Sequence, residues 1–272
     1  MPPAHQRLHL TRLQLTVNRV DLTLAAMTRN GHGRPIVFLH GFGSTKEDYA
    51  DVIHQAALSD RPILAYDAPG CGASACSDLS AIDIPFLVDV ADATLGAFGI
   101  NAPFDLVGLC MGGLTALLLA DRYPERFTAF IDIEGNLASE DCFLSRQLLA
   151  HPHDDPDVFL QRFIDRIWGS RYAGSALYAA SVAHKVRAGA VAPIFTSIVE
   201  LSDRGDLLSK FLALPARTML MYGEQNNSLS YLPTLRTKGV YLAEIPSCGH
   251  FPMYSNAPAM WNHITDFLCA HR

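Results

Sequence analysis

The sequence predicts an α/β fold in which a mostly parallel sheet is covered by helices and interrupted by one helical insertion. Three observations carry this. Short, continuous apolar runs recur along the chain, and helix-length stretches with apolar positions at three- and four-residue spacing separate them. One long stretch, from 136 to about 212, shows helical patterns and no strand. With 272 residues, 49% of them hydrophobic, the chain can bury one large core. A single domain is expected, with core 1–135 and 213–272 and an insertion at about 136–212.

Residues 9–17 alternate with a two-residue period, and 20–24 repeat the alternation after Asn18-Arg19. That pattern predicts an antiparallel hairpin with one wet face. After the turn Asn30-Gly31-His32-Gly33 come apolar runs at 36–39, 63–66, 106–109, 127–133, 218–222 and 240–245. They read as strands buried on both faces, hence parallel. Helices are expected at 46–58, 84–98, 111–123 and 258–270. The insertion is rich in Phe, Leu and Ala and includes Phe143, Phe159, Phe163, Trp168, Tyr172 and Tyr178.

Composition narrows the function. The formal net charge of -6 is mild, and Lys and Arg are scattered, so no nucleic acid partner is expected. The start, Met1 to Arg7, carries no apolar leader segment, and no apolar run is long enough to span a bilayer. A cytoplasmic protein with no membrane partner is the expectation. Six cysteines in a chain of this size read as free thiols. Cys71 and Cys76 lack a partner pair at zinc-site spacing, so no metal is expected. The oligomeric state is not legible.

The strongest chemical signal is Gly108-Leu109-Cys110-Met111-Gly112-Gly113, between a buried strand and a helix. A sharp strand-to-helix turn exposes its central side chain above the sheet and needs small neighbours. A buried structural cysteine is the plainer reading of Cys110 alone; the context favours a nucleophile. His40-Gly41-Phe42-Gly43 follows the first parallel strand. In acyl transfer two backbone N–H groups must hold the oxyanion, and Phe42 and Met111 are placed to supply them. His40 reads as a hydrogen-bond partner that orients this loop. Asp67 to Ser74 reads as a structural turn. Ser247-Cys248-Gly249-His250-Phe251-Pro252 follows the last strand, where a loop histidine can reach over the sheet to a nucleophile.

Together these motifs resemble the α/β-hydrolase superfamily over nearly the whole chain, about 13 to 267. His40 to Gly43 looks like its oxyanion loop, Asp67 to Ser74 like the turn after the next strand, Gly108 to Gly113 like its nucleophile elbow and Gly249-His250 like its histidine loop. Residues 136–212 look like its helical cap, which shapes substrate choice. There are two departures. Cys110 stands where most members have Ser, as in the dienelactone hydrolases and polyhydroxyalkanoate synthases of the family. Asn226, in Tyr222-Gly223-Glu224-Gln225-Asn226, stands where the acid usually lies. Glu134, after the strand that follows the elbow helix, matches the acid position of certain haloalkane dehalogenases. Dehalogenation itself is not expected, since the nucleophile pair is Cys110-Met111 and not Asp-Trp. Asp132 and Asp203 are weaker choices for the acid, and Asn226 becomes a helper behind it.

The resemblance implies that Cys110 attacks an acyl carbonyl, His250 moves the proton, Glu134 orients His250, and Phe42 and Met111 hold the oxyanion. No cofactor is required. The expected substrate is an apolar acyl ester or thioester, free or carried on a carrier protein or CoA, with Trp168 and Phe143 of the cap as contacts. Water as acceptor gives a thioesterase or esterase; an amine, alcohol or thiol gives an acyltransferase or cyclase. The competing readings on the same fold are a small-molecule-binding protein without turnover and a lyase with His250 as base.

Overall fold

The computed structural model of the protein describes residues 7–149 and 155–270. Residues 1–6, nearly all of the starting stretch Met1 to Arg7, lie outside the described residues. Among the described residues nine strands form one sheet: β1 His9–Val17, β2 Val20–Arg29, β3 Ile36–Leu39, β4 Ile63–Tyr66, β5 Ala75–Cys76, β6 Phe104–Leu109, β7 Phe127–Ile133, β8 Arg217–Gly223 and β9 Tyr241–Ile245. Their spatial order is β1-β2-β4-β3-β6-β7-β8-β9, with β5 beside β2. The six strands from β4 to β9 in that order run parallel, and the β1–β2 hairpin joins them antiparallel.

The burial of each strand follows from its covering. Every residue of β3, β4 and β6 is buried, as two covered faces require, whereas most of the edge strand β1 is exposed. The β1–β2 turn places Asn18 at φ 49 and Arg19 at φ 68, the left-handed pair of a two-residue hairpin. Strand β2 runs to Arg29, beyond the predicted 24. From Ala25 on it is largely buried and pairs with β4, so the polar alternation that marks its first half stops there.

The helices α1 Ile84–Ala97 and α2 Met111–Arg122 cover one face, and α10 Ala257–Cys269 covers the other. Alternation along the strands divides the core accordingly. Leu106, Phe130 and Leu220 pack with Leu87 and Leu114. Val107, Ile131 and Met219 pack with Trp261 and Ile264. Two further short helices, α8 Leu232–Thr237 and α9 Pro252–Ser255, are too brief to show a period in the sequence.

The helix expected over 46–58 is replaced by two 3₁₀ segments, Lys46–His54 and Ala56–Leu58. The reason lies in Arg29, which is buried and donates to the carbonyls of Val52 (3.4 Å), Leu58 and Arg61 (2.9 Å). A continuous α-helix would have turned the Val52 carbonyl onto its own i+4 N–H. Here that carbonyl accepts from Gln55 N–H in a 3₁₀ turn (3.2 Å) and from the buried guanidinium.

Between β7 and β8 the chain forms α3 Phe143–Leu149, α4 Pro156–Trp168, α5 Ala173–Lys185, α6 Val191–Asp203 and α7 Leu207–Ala213. Helix α4 begins on Asp155, whose side chain accepts from Asp157 N–H, with Pro156 in the first turn, and it ends at Gly169. The end of α5 is tied to the turn after β4. Gly72 N–H donates to Lys185 O (2.7 Å) and Arg187 N–H to Gly70 O (2.9 Å). No helix among the described residues is long and apolar enough to cross a membrane, and none of their His, Cys, Asp and Glu side chains group in threes suited to a metal ion.

Candidate active site

Cys110, Glu134 and His250 each lie just past the C-terminal end of a parallel strand. In a sheet of this kind the loops there converge on one edge. Cys110 follows β6 and precedes α2, with φ 50 and ψ -115. Its N–H donates to Ile133 O (2.8 Å) and its carbonyl accepts from Leu114 N–H (2.9 Å), so the turn is fixed on both sides. A side chain at Gly112 would have its Cβ 2.2 Å from Leu39 O, and one at Gly108 would lie 2.5 Å from Gly112 O. The two glycines are therefore required by close packing of the turn, and Cys110 is left half-buried above the sheet. Met111 opens α2 with its side chain in the core, and the first turn of a helix leaves its N–H groups without intrahelical acceptors.

Glu134 follows β7, also at positive φ (52), and its N–H donates to Met221 O (2.9 Å). Its carboxylate is enclosed by donors. Oε1 accepts from Gly223 N–H and Oε2 from Asn226 Nδ2, both at 2.5 Å. Oε2 also lies 3.2 Å from His250 Nδ1. The His loop can approach because Gly223 has no side chain: a Cβ there would fall 2.2 Å from Gly249 O.

The His250 ring lines the same cavity wall as Cys110 and Glu134, and both act on its charge. With Nδ1 facing Glu134, Nε2 is the nitrogen left for the sulfur. Burial opposes a charge on this imidazole, but Cys110 and Glu134 outweigh it and hold the pKa well above the usual histidine value. The opposite holds for His40, whose buried ring is shifted downward by desolvation. His40 Nε2 accepts from Ala68 N–H (2.8 Å), which fixes its Nδ1 as the donor to Gly41 O (2.7 Å). It links the loops after β3 and β4 and does not line the main cavity.

That cavity, about 390 Å³, has Cys110, Glu134 and His250 in its wall. Phe42, Phe163, Phe195 and Ile198 give it an apolar side; Asn136, Asp141, Arg166 and Tyr231 add polar groups. Of the two cap residues expected to contact substrate, Phe143 lines the cavity and Trp168 does not. Trp168 is 57% exposed at the end of α4, so its expected contact is corrected. The helical period allows an aromatic to face either way at a helix terminus. The alternative acids lie elsewhere. Asp132 is buried against Gly113 and Gly135, and Asp203 pairs with Arg146 (2.8 Å) on the surface.

Two groups have no signal in the linear sequence. Tyr178 of α5 donates its hydroxyl to Phe42 O at 2.6 Å. Asp141 accepts from Leu137 and Ala138 N–H (both 2.8 Å) and from the Tyr231 hydroxyl (2.9 Å). Burial raises the Asp141 pKa to about 6 despite these donors. Tyr178 meets Phe42 and Asp141 meets Tyr231 across 136 and 90 residues, contacts that local spacing does not encode.

A sequence profile of the alpha/beta hydrolase family matches residues 36–261. The chain belongs to that family. A pimeloyl-(acyl-carrier protein) methyl ester esterase of Shewanella woodyi is 31% identical over 131 residues, 48% of this chain and 46% of that protein. One from Neisseria meningitidis serogroup B is 33% identical over 96 residues, 34% of this chain and 33% of the relative. A 2-succinyl-6-hydroxy-2,4-cyclohexadiene-1-carboxylate synthase of an Enterobacter species is 33% identical over 155 residues, 56% and 52% of the two chains. The similarity thus spans about a third to a half of these curated relatives. Among solved structures, one from work on carboxylesterases of Nitrososphaera gargenis has a TM-score of 0.77 at 13% identity, covering 95% of this chain and 98% of that one. An N-acyl homoserine lactonase bound to N-hexanoyl homoserine has a TM-score of 0.75 at 15% identity, with 96% of each chain covered. At such identities these two share the fold.

Proposed function

We propose that this alpha/beta hydrolase is an esterase-type or thioesterase-type enzyme that forms a covalent intermediate on Cys110. The observation that carries the reading is that Cys110, His250 and Glu134 share one cavity wall, with His250 Nδ1 3.2 Å from Glu134 Oε2 and Cys110 on a strand-to-helix turn that exposes the sulfur. His250 takes the Cys110 proton, a transfer its raised pKa favours, the sulfur attacks the acyl carbonyl, and the imidazolium gives its Nε2 proton to the departing alcohol or thiol. The carbonyl oxygen takes the negative charge between the N–H groups of Phe42 and Met111 and returns it as the leaving bond breaks. A thioester remains on Cys110. Water, losing a proton to His250, then releases the acid and regenerates the thiol; an amine, alcohol or second thiol as acceptor makes the same enzyme a transferase. The apolar wall of the cavity suits an acyl chain, free or carried on CoA or a carrier protein, as with the esterase relatives. Free thiols suit the cytoplasm.

Intact-mass spectrometry during turnover of p-nitrophenyl esters and acyl thioesters tests this. A mass increase equal to one acyl group, absent in Cys110→Ala, is expected. The similarity to a synthase favours one second reading, lyase chemistry in which His250 is the base and no acyl-enzyme forms. Turnover that survives in Cys110→Ala would establish it. A folded protein that binds these compounds with neither adduct nor turnover would instead be a binding protein.

A further inference from the structure

The geometry points to Tyr178, on helix α5 of the insertion, as a positioning residue that holds the oxyanion loop and the histidine loop in register for the reaction. This rests on the acyl-transfer reading above and adds to it a residue that no catalytic motif marks.

Tyr178 makes one contact to each loop. Its hydroxyl donates to the carbonyl of Phe42 at 2.6 Å. Its ring stacks on Phe251, the residue after His250, at 3.9 Å between centroids and 17° between planes. Phe251 in turn meets the His250 ring edge-on, at 5.0 Å and 83°. The tyrosine is 1% exposed, and burial keeps its phenol protonated well beyond the usual range, so it remains a donor at any working pH.

The loop is built to receive it. Gly43 has φ +70, and a Cβ there would fall 2.2 Å from the Tyr178 hydroxyl oxygen. Absence of that side chain leaves the space the phenol fills. The same glycine also makes the Phe42–Gly43 peptide cheap to rotate, because glycine crosses φ regions closed to other residues. The phenol hydrogen bond opposes that rotation. The Phe42 ring is gripped separately, by Phe163 at 5.5 Å and Phe195 at 4.6 Å. The Phe42 N–H lies on the adjoining Gly41–Phe42 peptide, whose Gly41 carbonyl accepts from Ser44 N–H (3.1 Å) and His40 Nδ1 (2.7 Å); with the Phe42 ring and carbonyl also held, little freedom is left at the Phe42 Cα from which that N–H is aimed. An oxyanion donor is effective only when its direction is set before charge develops.

Substrate binding draws on the whole cavity wall, whereas the oxyanion exists only in the tetrahedral state. Loss of the phenol hydroxyl should therefore lower kcat and spare KM. Removing an oxyanion donor outright costs about 10² to 10³ in turnover, so loosening one should cost about 10- to 100-fold. Tyr178→Phe keeps the ring on Phe251 and removes only the hydrogen bond.

Two measurements on the full chain test the proposal. In steady-state kinetics with p-nitrophenyl acetate and p-nitrophenyl octanoate, Tyr178→Phe should lower kcat by the same factor for both, with KM within about twofold. In hydrogen–deuterium exchange without substrate, peptides covering residues 40–45 should exchange faster in the variant, while those of α2 are unchanged. An unchanged kcat, or a KM effect that grows with acyl length, would overturn it by making Tyr178 a packing or substrate contact. Equal exchange in the two proteins would overturn it independently of any activity. If the wild type forms no acyl-enzyme while exchange at 40–45 still rises in the variant, the positioning role stands and the acyl-transfer reading falls.

Discussion

The strand ends of the core and the helices between β7 and β8 face each other across one cavity, and they hold their side chains by different means. On the core side Cys110, Glu134 and Ser247 sit at φ 50, 52 and 55, conformations unfavourable for residues with a Cβ. Cys110 and Glu134 are held by backbone hydrogen bonds and by glycines that admit close neighbours, Ser247 by its N–H on the Glu224 carboxylate (2.8 Å). On the insertion side Phe163 and Phe195 project from regular helices and are placed by ring packing. Backbone-held groups have one position available. Packed aromatic groups can be exchanged for others of similar volume, which makes the insertion the side where substrate choice can vary.

The sharpest break in that comparison is expected at Glu134. Glu134→Gln should lower turnover by roughly 10² to 10³, less than the loss when a serine enzyme is deprived of its acid, because a thiol is the more acidic nucleophile. Asn226→Ala, which removes one donor to that carboxylate, should cost about tenfold or less. Asn226→Asp in the Glu134→Gln background should restore part of the loss, as measured by kcat/KM, by returning a charge to β8. Near-normal turnover in Glu134→Gln together with an inactive Asp203→Asn would move the acid to the insertion and reverse the comparison.

The pH dependence follows from His250, whose folded pKa is raised. A raised value means that the folded state binds the proton more tightly than the unfolded chain. The resulting stabilisation is complete below the unfolded value of about 6.5 and is lost as pH rises through the higher folded value. Melting temperature should therefore decline across that window, and the decline should be smaller in His250→Gln. The rate should fall over the same alkaline range as the proton for the leaving group is lost. In Glu134→Gln that limb should move to lower pH, since one cause of the raised value is gone. A limb unmoved by the substitution would remove Glu134 from contact with the imidazole in solution.

Brief treatment with iodoacetamide sharpens the comparison in another way. Cys110 should be labelled first, because it is half-exposed at a helix N-terminus beside His250. Cys71, Cys142 and Cys248 should lag, since burial pushes their thiols up to about 12, 11 and 12. Peptide mapping that found Cys248 or Cys71 modified and Cys110 untouched would count against the mechanism.

The smallest effects are expected at Phe143 and Trp168 of the insertion. Phe143→Ala should raise KM for long acyl chains a few-fold, since Phe143 lines the cavity and is 68% exposed. Trp168→Ala should leave KM and kcat within about twofold for every chain length, as its side chain is largely in solvent. A chain-length-dependent KM for Trp168→Ala would restore it to the substrate path.

How far a feature was legible in the sequence depended on how local its cause is. The buried strands, the Asn18-Arg19 hairpin and the helices α1, α2 and α10 rest on periodicity and turn chemistry within a few residues, and their positions emerge close to the predicted ones. The elbow is legible for the same reason: the glycines flanking Cys110 serve packing within one turn. The segment 46–58 was not, because a buried arginine from β2 takes carbonyls that an α-helix would have used. Trp168 was misplaced because periodicity gives the face of a helix without saying what lies opposite its end.

The chain's own order of residues thus determined the α/β architecture, the exposed turn at Cys110 and the loop that brings His250 to the same sheet edge, since each follows from short-range sterics and hydrophobic patterning. Only the tertiary structure decided that the Glu134 carboxylate sits between Gly223, Asn226 and His250, and that Tyr178 holds Phe42 from across the cavity. Those contacts join residues 89 to 136 positions apart, and at that separation the folded packing, not local preference, selects the partner.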